Sequence, residues 1–206
     1  MHPNDTLLLA KYATEYFRPG SKVLEVGPNV PSQIEPIMGG PSVTWETVDI
    51  FEDAYITHLA VDEYTFPVAD DTFDVVVAAN VLEHVRRIWV WTKELVRVAK
   101  PGGYVITVNP VSWPFHEFPI DCWRAYPDGM RALYEEAGLE VVLSTCESLE
   151  APDRPRRIPG RSQEYIEDPT HMGWKYRYAN KLLVRLGYPV ERAFDTISIG
   201  RKSSAP

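Results

Sequence analysis

The sequence has little cysteine, a deficit of basic residues and no long apolar run, and each shortage excludes a class of protein. Cys122 and Cys146 are the only cysteines and lie far apart, so neither a disulfide framework nor a cysteine metal site is predicted. The 21 lysines and arginines stand against 29 aspartates and glutamates, and the net charge of -8 argues against nucleic acid as a partner. No apolar run approaches the length of a membrane span and the first residues lack a signal-peptide pattern. We therefore expect a cytoplasmic protein with no membrane partner.

What is present is a regular alternation of strand-like and helix-like segments. The 206 residues are enough for a single domain over 1–206 with a full core. Strands are predicted over 23–26, 45–50, 73–79, 104–108, 139–143 and 194–199, and helices over 4–17, 85–99, 127–137 and 174–186. A further helix start is predicted near Ser32, which can form a capping box with Glu35. The alternation predicts an α/β fold in which helices cover both faces of a parallel sheet.

The first predicted strand ends in the turn Gly27-Pro28-Asn29-Val30-Pro31, and ligands of open α/β sheets bind at such strand ends. Glu25 lies within that strand, where a carboxylate is costly unless backbone amides or a ligand ammonium group pair with it; a solvated strand edge is the alternative. Pro31 has no amide hydrogen to offer a phosphate. Asp49 follows about 20 residues after the turn, the spacing at which an acid binds ribose hydroxyls. The turn thus favours a nucleoside over a dinucleotide.

Six motifs in order resemble those of one family. They are Val23-Leu24-Glu25-Val26-Gly27, the acid Asp49, Asp62 before Phe66-Pro67, Asp71-Thr72-Phe73-Asp74-Val75-Val76-Val77, Asn80-Val81-Leu82-Glu83-His84-Val85, and Arg97-Val98-Ala99-Lys100-Pro101-Gly102-Gly103. Together they resemble the type-11 group of class I S-adenosylmethionine-dependent methyltransferases. The resemblance implies a Rossmann-like, seven-stranded, mostly parallel sheet with helices on both faces, and S-adenosylmethionine as the cofactor. The family's usual Gly-x-Gly-x-Gly is here Gly27-x-Asn29-x-Pro31.

The same resemblance implies roles for the residues at the strand ends. It places Glu25 and Gly27, with Pro28 and Asn29, at the methionine end of the cofactor. It places Asp49 and Ile50 at the ribose and adenine, Asp62 at the adenine amine, and Asn80 with Val81 beside the sulfonium. These residues form the expected cofactor site.

A second resemblance begins after the strand predicted over 104–108. The segment from His116 to Arg124, followed by Tyr126-Pro127, is similar to a His-x-x-Pro-x-Asp-x-Trp-Arg segment of family members found with polysaccharide and glycan pathways. The resemblance implies O-methylation of a carbohydrate hydroxyl, with a mannoside precursor of polysaccharide biosynthesis as the expected substrate. Glu117, Trp123, Arg124 and Tyr126 are the expected substrate contacts.

A sugar hydroxyl is a poor nucleophile until its proton begins to leave, so a base within hydrogen-bond reach is expected. His84 follows a buried strand at the carboxyl edge of the sheet; its alternative is a structural histidine bonded to a backbone carbonyl. His116 lies near Glu117 and Asp121, which could orient it and raise its basicity; the alternative is a loop in which Asp121 pairs with Arg124. The predicted catalytic residues are therefore His116, His84 and Asp121.

The same carboxylates could hold a divalent cation such as Mg²⁺ beside His116, although nothing in the spacing requires one. Residues 109–126 and 150–190 are expected to form substrate-side insertions or a lid, with His171 and a run of four arginines (Arg154, Arg156, Arg157 and Arg161) in the second. Trp89 and Trp91 are either core residues or the face of a homodimer. A small natural product or an amine is an alternative acceptor, and a non-catalytic nucleotide-binding partner protein is an alternative function.

Overall fold

The protein is described from a computed structural model, which covers residues 3–113, 115–117, 119–150 and 193–204, together with Tyr178, Leu182, Arg185 and Leu186. The predicted lid over 150–190 lies almost entirely outside the described residues, as do His171, the four arginines and most of the predicted helix over 174–186. Among the helices that are described, none is long and apolar enough to cross a membrane.

Seven strands form one sheet. They are β1 Lys22–Val26, β2 Thr44–Asp49, β3 His58–Leu59, β4 Phe73–Ala79, β5 Ala99–Pro110, β6 Leu139–Glu147 and β7 Asp195–Lys202. Their order is β3-β2-β1-β4-β5-β7-β6, and β1 to β5 pair in parallel while β7 is antiparallel to both neighbours. The predicted seven-stranded, mostly parallel α/β sheet is confirmed.

Helices cover both faces of this sheet because successive strand side chains point to opposite sides. The four described helices are α1 Pro3–Tyr12, α2 Glu35–Met38, α3 Ile88–Val98 and α4 Pro127–Glu136. On one face, Leu8 and Leu9 of α1 and Met38 of α2 pack with Val23 and Val75. On the other face, the buried stripe of α3 (Trp91, Leu95 and Val98) and Tyr134 of α4 pack with Leu24 and Val76. Trp91 is therefore a core residue, whereas Trp89 is exposed.

Several element boundaries differ from the predicted ones. The first helix ends at Tyr12, and a separate 3₁₀ turn over Thr14–Tyr16 replaces its last turn. The helix predicted from residue 85 begins at Ile88, because residues 82–84 form a 3₁₀ turn and Val85 is extended. The strand predicted over 104–108 begins earlier, at Ala99, which pairs with Phe73 before the register shifts, so β5 includes Lys100 to Gly103.

Candidate active site

The site lies where the strand order reverses, between the neighbouring strands β1 and β4. Gly27 follows β1 in a left-handed conformation with φ of +62°, and a Cβ at this position would lie 2.6 Å from Cγ2 of Val81. Glycine is needed on both counts, since a side chain would be strained and would clash. The close approach brings two of the predicted cofactor residues together at the carboxyl edge of the sheet, where open α/β sheets bind ligands.

Glu25 is enclosed beneath this turn. Its side chain accepts hydrogen bonds at Oε2 from the Ser32 hydroxyl (2.6 Å) and the Trp45 indole N–H (2.9 Å), and the residue is 2% exposed. Ser32 Oγ also accepts the backbone N–H groups of Ile34 and Glu35, but the helix begins only at Glu35 with Ile34 as its N-cap residue, so the predicted cap at Ser32 is wrong. Burial raises the pKa of Glu25 above its ordinary value despite these two donors. The carboxyl group is therefore not solvated at a strand edge.

Three further predicted cofactor residues follow β2 and β3. Asp49 is half-buried, and its Oδ1 accepts the backbone N–H of Phe51 at 3.0 Å. Burial raises the pKa of Asp49. Ile50 is exposed beside it, and Asp62 Oδ1 accepts the backbone N–H of Tyr64 at 2.8 Å. Each acid thus stabilises its own turn through one carboxylate oxygen, Oδ1.

Asn80 ends β4 in a left-handed conformation with φ of +56°. Its side-chain amide donates to Oδ2 of the buried Asp5 in α1 at 2.6 Å, while its buried Oδ1 accepts no hydrogen bond from the described residues. The first turn of α1 therefore reaches the site. In the sequence Asp5 is recognisable only as a helix cap, because its partner lies in a distant part of the chain.

The two candidate bases lie side by side. The His84 and His116 rings meet edge to face with centroids 5.0 Å apart. His84 Nδ1 donates to the carbonyl of Ile120 at 2.5 Å, so its Nε2 carries the lone pair when the ring is neutral. Burial is the main reason that the pKa of His84 is lowered, and the ring is neutral near pH 7.

Glu83 lies against this pair and has no counterpart among the predicted site residues. It is 1% exposed, and its Oε1 is 3.7 Å from Nε2 of His84. Burial raises the pKa of Glu83 to about 8. Although the distance would allow an ion pair, burial disfavours the charged forms of both groups.

The chain around residues 111–126 is braced against residues 83–85. The Cys122 N–H donates to the carbonyl of Glu83 (2.7 Å), and the Trp123 indole donates to the carbonyl of Val85 (2.9 Å). With the bond from His84 to Ile120, three hydrogen bonds join the two segments. The sequence predicts this segment on the substrate side, and its main chain is held close to the candidate bases.

Asp121 pairs with Arg124, as the structural alternative anticipates. Its two oxygens accept guanidinium N–H groups at 2.5 and 2.7 Å. Oδ2 also accepts the backbone N–H of His116 at 2.9 Å and lies 3.4 Å from Nδ1 of that ring. Burial acts to raise the pKa of Asp121, but the hydrogen bonds from Arg124 and His116 outweigh it and keep the pKa below its ordinary value. Asp121 is thus an ionised group that orients His116.

The predicted substrate contacts fall into two groups. Glu117 and Tyr126 are exposed, while Trp123 and Arg124 are partly buried; the Trp123 indole bonds to Val85, and Arg124 bonds within the loop. Trp123 also packs edge to face on Trp89, with ring centroids 6.4 Å apart. The structure therefore brings His84, His116 and Asp121 together and leaves Glu117 and Tyr126 facing solvent nearby in the chain.

The comparisons with known proteins agree with this geometry. Residues 46–107 match the family model described as a methyltransferase domain. An uncharacterized methyltransferase of Mycobacterium tuberculosis (strain ATCC 25618 / H37Rv) is 50% identical over 40 residues, which are 19% of this chain and 16% of that protein. One of Mycobacteroides abscessus is 36% identical over 55 residues, covering 27% of this chain and 21% of the relative. The matches thus span about a sixth to a fifth of the curated relatives.

Solved structures match over nearly the whole chain. A SAM-dependent methyltransferase from Archaeoglobus fulgidus gives a TM-score of 0.61 at 17% identity, over 96% of this chain and 93% of that one. The [4+2]-cyclase SpnF gives 0.63 at 14% identity, over 96% and 82%. The fold is therefore that of class I methyltransferases. The presence of a cyclase among these structures means that the fold alone does not establish the reaction.

Proposed function

We propose that this protein is an S-adenosylmethionine-dependent methyltransferase that methylates a hydroxyl group of a carbohydrate. The observation that carries the proposal is a pair of imidazoles at the strand end where the cofactor's methyl group is expected: His84 lies in the turn after Asn80 and Val81, and the His116 ring meets it edge to face. The methyltransferase domain match over residues 46–107 and the class I fold support the transfer of a methyl group.

The residues at the carboxyl edge fit this cofactor. Gly27 lets the Val81 side chain pack against the turn after β1, so the ends of β1 and β4 come together where the cofactor would bind. The buried Oδ1 of Asn80 is an acceptor that a donor or a positive group would satisfy. Asp49 uses one oxygen for its own turn and would accept ribose hydroxyls with the other. Glu25 and Asp62 would complete the site at the methionine and adenine ends.

Methyl transfer forms a bond between the acceptor oxygen and the methyl carbon and breaks the bond from that carbon to sulfur. S-adenosylhomocysteine leaves as a neutral thioether and needs no acid, so alignment of donor and acceptor dominates and contributes up to about 7–11 kcal/mol. The hydroxyl proton has to leave as well, and the imidazole pair is placed to promote its departure. An imidazole can do this as a base, for about 10²–10⁴-fold in rate, or by holding a cation that lowers the pKa of the hydroxyl.

The acceptor class rests on two features. A hydroxyl needs activation and an amine needs less, so paired imidazoles favour an oxygen acceptor. The His116 to Arg124 segment, which resembles that of glycan-pathway enzymes, supplies the imidazole and the ion pair that orients it. A mannoside is the first acceptor that we propose, with the exposed side chains of Glu117 and Tyr126 as contacts to its hydroxyls and ring.

Mass spectrometry of a mannoside and glucoside panel incubated with protein and S-adenosylmethionine tests the proposal. We expect one sugar to gain a single methyl group, and His116→Asn to slow that reaction at least about 100-fold without changing affinity for S-adenosylhomocysteine. His58→Asn is the matched control, because His58 pairs with Glu46 at 2.7 Å outside the site. Cofactor binding with no methylated sugar would refute the carbohydrate acceptor. If instead an amine were methylated, and this activity survived the loss of both imidazoles, an amine would replace the carbohydrate as the acceptor.

A further inference from the structure

We propose that Glu83, His84 and His116 form a binding site for a divalent transition-metal ion such as Zn²⁺. Each residue offers one ligand atom, and the three atoms lie within 4.8 Å of one another. Two imidazole nitrogens and one carboxylate oxygen are a ligand set that such ions accept in proteins. The site differs from the carboxylate cluster beside His116 that the sequence suggests, because Asp121 is committed to Arg124 and Glu117 is exposed.

Glu83 supplies the independent observation that a ligand is expected. Its side chain is 1% exposed, and neither carboxylate oxygen has a hydrogen-bond partner among the described residues. Buried carboxyl groups without a partner are costly and are rarely retained unless something bonds to them. Oε1 lies 3.7 Å from Nε2 of His84, beyond hydrogen-bond distance, so the missing partner has to bind an oxygen and a nitrogen at once, with release of the carboxyl proton. A cation meets that requirement.

The distances are compatible with a metal. Bonds of about 2.0–2.2 Å from a central ion place adjacent ligand atoms about 3–4 Å apart. The Glu83 and His84 atoms are within that range at 3.7 Å, and the full set at 4.8 Å needs an inward shift of less than about 1 Å or a change of side-chain rotamer. The His84 and His116 side chains are 18% and 26% exposed, which gives an ion a route from solvent to the buried carboxylate.

Both imidazoles are oriented by the outer contacts that metal-binding histidines usually have. His84 donates its Nδ1–H to the carbonyl of Ile120, and this bond fixes the tautomer that offers Nε2. His116 has its Nδ1 3.4 Å from Oδ2 of Asp121, and Asp121 is itself held by two hydrogen bonds from Arg124. The ring positions are therefore set before an ion arrives, which lowers the cost of forming the site.

The ligand types select the class of ion. Mg²⁺ and Ca²⁺ prefer oxygen ligands, whereas two nitrogens favour Zn²⁺, Co²⁺ or Ni²⁺. Three protein ligands leave at least one coordination position open. If the proposed function holds, on which this role rests, an oxygen of the acceptor occupies that position and the ion lowers the pKa of the hydroxyl. The imidazoles then act as ligands, and the proton leaves to solvent.

Titration of chelator-treated full-length protein with Zn²⁺, followed by calorimetry and by the visible spectrum of a Co²⁺-substituted sample, tests the site. We expect one ion per chain and a loss of affinity of at least about 100-fold in Glu83→Gln and in His116→Asn. His58→Asn should bind as the wild type does, since His58 lies outside the site. Circular dichroism melts verify that both ligand variants fold. If Glu83→Gln does not fold, His116→Asn alone still tests the site.

Three outcomes would overturn the inference: no Zn²⁺ binding by the wild type, unchanged binding by a folded Glu83→Gln or His116→Asn variant, or an equal loss in His58→Asn. Affinity for S-adenosylhomocysteine, measured in parallel with and without Zn²⁺, separates this failure from failure of the proposed function. Metal binding without cofactor binding would refute the methyltransferase proposal and leave the metal site standing. Cofactor binding and sugar methylation that chelation does not slow would refute the ion's role in the reaction.

Discussion

Asp49 offers a direct test of the cofactor site, because one isosteric change alters its charge and leaves its turn intact. In Asp49→Asn the side-chain oxygen can still accept the backbone N–H of Phe51, which lies 3.0 Å from Oδ1 in the native protein. The change replaces the other oxygen with an amide NH₂, which cannot accept a ribose hydroxyl. A hydrogen bond to a charged group contributes about 1.5–3 kcal/mol. We therefore expect affinity for S-adenosylhomocysteine to fall about 10- to 150-fold.

The pH dependence of binding gives the same prediction a second readout. Burial raises the pKa of Asp49 above its ordinary value of 3.8, so the carboxylate proposed to accept ribose hydroxyls is lost as pH falls through the folded pKa. Affinity in the wild type should decline over that window, and the decline should be smaller in Asp49→Asn. In the cofactor-free protein the pH dependence of stability that comes from Asp49 has the opposite sign. The raised pKa contributes stability below the unfolded pKa, which is lost as pH rises through the folded value.

Isothermal titration calorimetry with S-adenosylhomocysteine measures the effect, and Asp53→Asn is its matched control. Asp53 makes the same local contact, accepting the backbone N–H of Tyr55 at 2.9 Å, but it is exposed and lies beyond the predicted site. A change of less than about threefold in Asp49→Asn, or an equal loss in Asp53→Asn, would refute the assignment of Asp49 to the ribose.

Three other predictions concern stability and the turn. Asp121→Asn should lower the free energy of unfolding by about 1–3 kcal/mol, less than for a fully buried pair because Arg124 is partly exposed. Urea titrations should show this difference at pH 7, and the difference should disappear as pH falls through the depressed folded pKa of Asp121. A difference that persisted in acid would contradict the ion pair. Trp91→Ala should cost about 3–5 kcal/mol in the same assay, since Trp91 is fully buried, and a loss below about 1 kcal/mol would contradict its place in the core. Gly27→Ala should weaken S-adenosylhomocysteine binding and lower the melting temperature, because its Cβ would meet Val81, and wild-type values for both would contradict the close approach.

The central strands could be predicted from the sequence because local pattern and final environment agree there. Phe73–Ala79 is an almost unbroken apolar run, and it is buried on both faces of the sheet. The short β3, His58–Leu59, has no such pattern and exists because Val48 and Asp49 pair with it. The start of α3 could not be predicted either. Its delay to Ile88 depends on the 3₁₀ turn before it and on Val85, whose carbonyl accepts the indole N–H of Trp123.

The candidate site could be predicted in position but not in its partners. Asp49 and Asn80 follow strands, and the ends of parallel strands meet at one edge of the sheet. Glu25 accepts hydrogen bonds from Ser32 and Trp45, which lie in other parts of the chain. No local sequence pattern identifies the indole of Trp45 on β2 as a donor to Glu25. Glu83 was missed because a glutamate just before a predicted helix is ordinarily solvated. The residue lies instead in a 3₁₀ turn that directs it into the protein.

The main chain and the exposed side chains of the loop around residues 111–126 have separate roles. Its main chain accepts the Nδ1–H of His84 at Ile120 and donates to Glu83 from Cys122, so the position of the imidazoles depends on backbone atoms of the loop. Its exposed side chains, such as Phe115 and Tyr126, take no part in these bonds. Under the proposed function, substitutions at those exposed positions should change which acceptor is bound while the imidazoles keep their places. Changes that alter the backbone of the loop would shift the imidazoles and affect every acceptor alike.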